Sequence, residues 1–180
     1  MRRLADQDRI HRFMTAIAGR ATRQARLYFT GGATAVLLGW RASTIDVDIL
    51  IVPDDDRILR ALPELKENLE INVELASPAH FIPELPGWEE RSLFIAHEGK
   101  LSFFHYDLYA QALAKIERGH TLDVSDIQEM FRRGLVESAQ LTKLFEAILP
   151  QLYRYPAINP PAFQRALRKT VDAFGKSQRK

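Results

Sequence analysis

The chain has 180 residues, 46% of them hydrophobic and 27% charged, with a formal net charge of +2. That balance suits a globular chain of one domain, or one domain with a helical extension, and excludes a disordered one. It holds no cysteine, which excludes disulfides, thiolate metal sites and a cysteine nucleophile, and no run approaches the roughly 20 apolar residues a membrane-spanning helix needs.

The N-terminal stretch MRRLADQDRIHRF lacks the apolar core of a signal peptide, so a cytoplasmic location is expected. Residues 5–24 have helical spacing, with Ile10, Phe13, Met14, Ile17 and Ala21 on one face and Arg9, Arg12, Arg20 and Arg23 on the other. RLYFT (26–30) reads as a short strand that stops at Gly31-Gly32. ATAVLLGW (33–40) is apolar and long enough for about two helical turns. IDVDILIV (45–52) is β-branched, ends at Pro53 and reads as a buried strand. The triplet Asp54, Asp55 and Asp56 offers a cap for a helix over 55–68. EINVELA (70–76) alternates as a strand does, and 77–88, with three prolines, reads as a loop.

SLFIAHEGKLSFFHY (92–106) reads as a hairpin turning near Glu98-Gly99. Helices are expected over 107–118, 123–133 and 137–149. A proline-rich connector over 153–163 leads to a basic helix over 162–174 and the tail GKSQRK, expected to fray. The expected fold class is α+β: a mixed β-sheet flanked by helices over 1–106, and a helical C-terminal part over 107–180 packed on it.

The chemistry concentrates in GGATAVLLGWRASTIDVDILIV, residues 31–52. Asp46 and Asp48 are two apart on a strand, so they share a face at about 7 Å spacing, while Ile45, Val47 and Ile49 point into the core. Two carboxylates there repel each other and lose hydration unless a cation or hydrogen-bond donors offset the cost. Hard divalent cations take oxygen ligands, often one or two carboxylates with phosphate oxygens. Gly31 and Gly32 follow a strand and open a helix, where backbone without side chains lets a phosphate approach. Alone, a glycine pair is more often a turn and an Asp-x-Asp more often faces solvent. Their order on a strand–helix–strand frame points to a nucleoside triphosphate with Mg²⁺ or Mn²⁺. The histidines at 11, 80, 97, 105 and 120 have no metal-ligand spacing, and no serine-centred triad is visible. Phe103, Phe104, Tyr106 and Tyr109 read as core, and His105, in an apolar strand, as a core or surface residue without a ligand role.

A glycine pair, thirteen residues and then DVD resembles the signature of the DNA polymerase beta-type nucleotidyltransferase superfamily. More narrowly, YFTGGATAVLLGWRASTIDVDILI resembles the minimal nucleotidyltransferases grouped with AbiEii-type toxins and their DUF6036-like relatives. QALAKIERGHTLDVSDIQEM (111–130) is similar to that group's helical motif of a lysine and arginine one turn apart followed by Asp-x-x-Asp. The resemblance implies a nucleotidyltransferase-like mixed sheet and Mg²⁺-dependent transfer of NMP from NTP to a hydroxyl on RNA (tRNA included) or protein. It further implies a role in a toxin–antitoxin pair with a cognate partner. The competing expectation is a catalytically weak or inactive binding module, an antitoxin or a nucleotide or RNA sensor.

By the same resemblance, Asp46 and Asp48 are metal ligands. Glu74 is the third carboxylate, as ligand or as base on the attacking hydroxyl, with Asp107 as its substitute. Glu74 is expected to share a face with Asn72 while Val73 and Leu75 face the core. Gly31 and Gly32 cradle the β- and γ-phosphates, and Arg41 and Ser43 reach phosphate by charge and hydroxyl. Lys115 points at the triphosphate with Arg118 on the same helical face. Asp123 and Asp126 form the Asp-x-x-Asp pair, Asp126 being the catalytic one because a mid-helix aspartate gains nothing as a cap. The chain departs from the pattern in having Gly32 where serine is common. It also lacks a clear counterpart to the toxins' lysine-rich motif, Lys66 being the only lysine nearby.

Overall fold

The apolar runs between residues 25 and 105 build a five-stranded mixed sheet. The strands are β1 (Ala25–Thr30), β2 (Asp46–Val52), β3 (Asn72–Leu75), β4 (Leu93–Glu98) and β5 (Leu101–His105). A computed structural model describes residues 4–175. Their order across the sheet is β3-β2-β1-β5-β4. β1 runs antiparallel to β2 and parallel to β5, β2 runs parallel to β3, and β4 and β5 form the hairpin.

One face of this sheet carries Leu27, Phe29, Val47, Ile49, Ile51, Val73, Leu101 and Phe103, all buried. Helices α1 (Gln7–Ala18), α2 (Gly31–Leu37) and α3 (Asp56–Asn68) supply its partners, among them Ile10, Phe13, Met14, Val36, Ile58 and Leu65. Each such side chain contributes about 1.5–3 kcal/mol when fully withdrawn from water. The Phe29 and Phe103 rings stack at 6.1 Å across the β1–β5 pair. The opposite face carries Tyr28 stacked on Phe104 at 5.4 Å, and it carries the acidic side chains of β2 and β3.

Local chemistry sets the helix ends. The Asp6 carboxylate accepts from the Arg9 amide at 2.9 Å to start α1. Asp55, the middle member of the acidic triplet, accepts from the amides of Arg57 and Ile58 at 2.9 and 3.3 Å to start α3. α1 stops at Ala18, short of the expected 24. The chain turns at Gly19, whose amide reaches back to Thr15 and Ile17, and Arg20 and Arg23 reach Glu64 and the Asp54 carbonyl instead. Ala21 therefore lies outside the helix.

Two residues expected in the core are outside it. Ile45 is 69% exposed because β2 begins one residue later, and Leu75 is 53% exposed at the end of a four-residue edge strand with no strand beyond it.

A second unit consists of residues 78–91 with the chain from Asp107 onward, so each unit is built from two stretches. It contains a 3₁₀ turn at Pro78–His80, α4 (Trp88–Arg91), α5 (Leu108–Arg118), α6 (Thr121–Arg132), α7 (Ser138–Ile148), a 3₁₀ segment at Leu149–Arg154 and α8 (Pro160–Phe174). α5 packs against α6, α7 and α8 through residues such as Leu113, Ile116 and Phe131. Phe145 meets Phe163 edge-on at 4.9 Å to dock α8. Asn159 caps α8 through the Ala162 amide at 2.9 Å, with Pro160 opening the first turn. Residues 176–180 of the basic tail lie outside the described ones. The protein is α+β, with a mixed sheet, flanking helices and a helical C-terminal part.

Candidate functional site

Strand register brings the acids of β2 and β3 together. In the β2–β3 pairing, Asp46 lies opposite Asn72 and Asp48 opposite Glu74. In the β1–β2 pairing, Asp48 lies opposite Thr30. Directly paired residues share a sheet face, so Thr30, Asp46, Asp48, Asn72 and Glu74 stand on the face away from α1–α3. The Asn72 side-chain amide donates to the Asp46 carboxylate, and to Glu74 Oε1 at 3.3 Å. One amide thus bridges two carboxylates and offsets part of their repulsion. Asp46 and Asp48 are half-buried, and Glu74 is exposed.

The glycine pair abuts this group, and each glycine has its own reason. Gly31 has φ 61°, and a Cβ there would lie 2.8 Å from Asp48 Oδ2. A side chain there would strike the carboxylate and strain the backbone, so glycine is what the position accepts. At Gly32 a Cβ would meet Thr44 Oγ1 at 2.1 Å and lie 3.6 Å from Arg41 Nη1. The Thr44 hydroxyl fills the room a side chain at 32 would need, and it donates to the Asp46 carbonyl at 3.0 Å. The Thr44 backbone pairs with Ala5 in both directions, at 2.8 and 2.9 Å. Arg41 and Ser43 lie on the loop that carries Thr44 into β2, and both are half-buried.

The second unit holds a different charged cluster. Lys115 Nζ lies 3.1 Å from Asp123 Oδ1 and 2.6 Å from Asp126 Oδ2, with all three side chains buried. Arg118 grips Asp123 through Nε and Nη2 at 2.8 and 2.7 Å, a two-point contact. Burial pushes the Asp123 carboxyl upward, but the hydrogen bonds and charges of Arg118 and Lys115 outweigh it and hold it below the ordinary carboxylate value. Asp123 sits in the first turn of α6, whose capping position is His120. Asp107 also has a structural position. It caps α5 through the Tyr109 amide at 3.1 Å and pairs with Arg91 at 2.6 Å. Burial raises its carboxyl despite that arginine.

The family model described as a nucleotidyltransferase of unknown function, DUF6036, matches residues 8–157. The chain belongs to that family. No curated protein and no solved structure matches it.

In this nucleotidyltransferase the sequence-derived residues divide into two groups. Gly31, Gly32, Arg41, Ser43, Asp46, Asp48 and Glu74 belong to the sheet unit, and Lys115, Arg118, Asp123 and Asp126 to the helical unit. Among the described residues, no three histidine, aspartate or glutamate side chains converge tightly enough to form a ready-made metal centre. No helix among them is long and apolar enough to cross a membrane. Asn72 and Thr44 are the residues that motif reading passed over. Asn72 was legible as the same-face neighbour of Glu74, two positions away. Thr44 carried no such signal, because only folding shows that its hydroxyl fills the gap at Gly32. His105 is buried, with Nδ1 3.4 Å from the Thr34 hydroxyl, and burial lowers its pKa to about 4.

Proposed function

We propose that this nucleotidyltransferase moves a nucleoside monophosphate from NTP to an acceptor hydroxyl, with Asp46 and Asp48 as the centre of the site. The observation that carries the reading is the register Thr30–Asp48–Glu74. With the neighbouring Asp46–Asn72 pair it puts three carboxylates on one sheet face, beside a glycine pair where a side chain at 31 would strike Asp48 and one at 32 would strike Thr44.

The donor set suits Mg²⁺ or Mn²⁺. Two half-buried carboxylates, with a third one strand away, leave coordination positions for phosphate oxygens. Such an ion would neutralise charge on the triphosphate and on the leaving pyrophosphate. Asp46 and Asp48 would hold it. Asn72 would keep the Asp46 and Glu74 carboxylates turned toward the site. Arg41 would offer its guanidinium, and Ser43 its hydroxyl, to the phosphates, which approach over Gly31 and Gly32. The acceptor oxygen bonds to the α-phosphorus, the bond from that phosphorus to the bridging oxygen breaks, and pyrophosphate departs. Glu74 would take the hydroxyl proton. Lys115 and Asp126 enter this reading as the buried ion cluster that fixes α5 against α6. The acceptor would be a hydroxyl on RNA or protein, and a toxin–antitoxin pairing belongs to the same proposal.

The test is incubation with labelled NTPs, Mg²⁺ or Mn²⁺, and total RNA or lysate, beside an Asp46→Asn/Asp48→Asn variant. Transfer by wild type and none by the variant is expected. A wild type that binds neither NTP nor metal, or a variant that transfers as well as wild type, would overturn the reading.

A further inference from the structure

Charge is unevenly divided along this chain. Residues 158–180 hold six of the 25 basic side chains and one of the 23 acidic ones, a net of +5 against −3 for residues 1–157. Within the described part of that segment, α8 presents Arg165, Arg168 and Lys169, all exposed. Their spacing is i, i+3 and i+4, which sets neighbouring charges about 5–6 Å apart on one helical face. The helix is held in place by its other face, through buried Phe163 and Leu167.

The partners of the other cations sharpen the point. The remaining described arginines of the helical unit are engaged within it. Arg91 meets Asp107, Arg118 meets Asp123, Arg132 and Arg133 share Glu129, and Arg154 lies 5.7 Å over the Tyr153 ring. Among the described residues, no ion pair ties Arg165, Arg168 or Lys169 to a carboxylate. α8 also lies beyond the family match, which ends at 157.

We infer that the outward face of α8 binds the phosphodiester backbone of RNA through Arg165, Arg168 and Lys169. Two of the three are arginines, whose planar fork suits phosphate oxygens. Insertion into a lipid surface would need a free apolar stripe, and that of α8 is buried in the unit's core. Just before α8, Tyr153 is 75% exposed, a ring on which an unpaired base can stack. The inference names RNA as the acceptor class of the proposed transfer, and in that respect it rests on that reading.

Binding of a fluorescein-labelled single-stranded RNA to the whole chain, without NTP, is measured across a salt series for wild type and Arg165→Gln/Arg168→Gln/Lys169→Gln. Losing three phosphate contacts should flatten the slope of log affinity against log salt by about 2, at about 0.7 per contact. An Arg165→Lys/Arg168→Lys variant should keep most of the slope. Unchanged circular dichroism and unchanged NTP binding in the glutamine variant establish that the fold and the sheet site are intact. Equal slopes in wild type and the glutamine variant, or binding to phosphatidylserine vesicles but not to RNA, overturn the inference. RNA binding with the expected slope but no nucleotide transfer leaves this surface standing and removes the proposed reaction.

Discussion

Two aspartate pairs in this nucleotidyltransferase look alike in the sequence and behave as opposites in the fold. Asp46 and Asp48 stand on a strand, half-buried, with Asn72 as a neutral donor and a glycine backbone alongside. Asp123 and Asp126 stand on a helix, buried, with Lys115 and Arg118 against them. The first pair lies at the glycine pair, and on the proposed reading it is the pair that meets a cation and a phosphate. In the second, Lys115 and Arg118 of α5 pair with the two carboxylates of α6 inside the protein. On the proposed reading the first pair is the site and the second a clasp, a division that rests on partner charge and burial because acid spacing is the same kind of signal in both.

Asp48→Asn draws that distinction most sharply. Nucleotide transfer should fall by more than the roughly 10–100-fold typical of losing a group that only supports a metal ligand. The urea midpoint should correspond to a change within about 0.5 kcal/mol, as for a surface substitution. Lys115→Met should do the reverse. It takes the lysine charge away from buried Asp126 and leaves Asp123 with Arg118, and it should cost about 3–5 kcal/mol in urea unfolding. A Lys115→Met protein that folds as well as wild type would break the comparison.

His105 tests whether the sheet unit tolerates buried charge without a partner. Its folded pKa of about 4 lies below the ordinary 6.5. The unfolded chain therefore takes up the proton first as pH falls. Stability is full above about pH 6.5 and declines toward pH 4, by up to about 3 kcal/mol in total. Unfolding midpoints of wild type and His105→Phe, compared at pH 7 and pH 4.5, should diverge by nearly that amount. Parallel midpoints would show that the imidazole reaches water. The smallest effect is expected from Asn72→Ala, about 10–100-fold in kcat/KM, the range for an outer partner of a metal ligand. Asn72→Asp, which adds charge without a donor, should not restore activity. If Asn72→Ala is as active as wild type, the amide bridge between Asp46 and Glu74 has no part in the reaction.

The strands and most helices were readable because their causes are local. Val47, Ile49 and Ile51 alternate with polar or half-buried neighbours, and Asp55 and Asn159 mark helix starts by capping chemistry. Ile45 and Leu75 were misread as core because their exposure depends on where a strand begins and on what lies beside it. The pattern of residues 31–52 carried the glycines and the aspartate pair by adjacency in the chain. Glu74 came from family resemblance, and the pairing of β3 with β2 is what sets it opposite Asp48.

The chain's local patterns determined the element types, the glycine pair and the acid pairs, since propensity, capping and alternation act over a few residues. Tertiary structure decided which acids face a glycine backbone and which face a lysine. It also decided that Thr44 fills the room at Gly32 and that three cations of α8 stay without carboxylate partners among the described residues. Those outcomes depend on strand register and helix packing between residues far apart in sequence, and no local pattern encodes such distances.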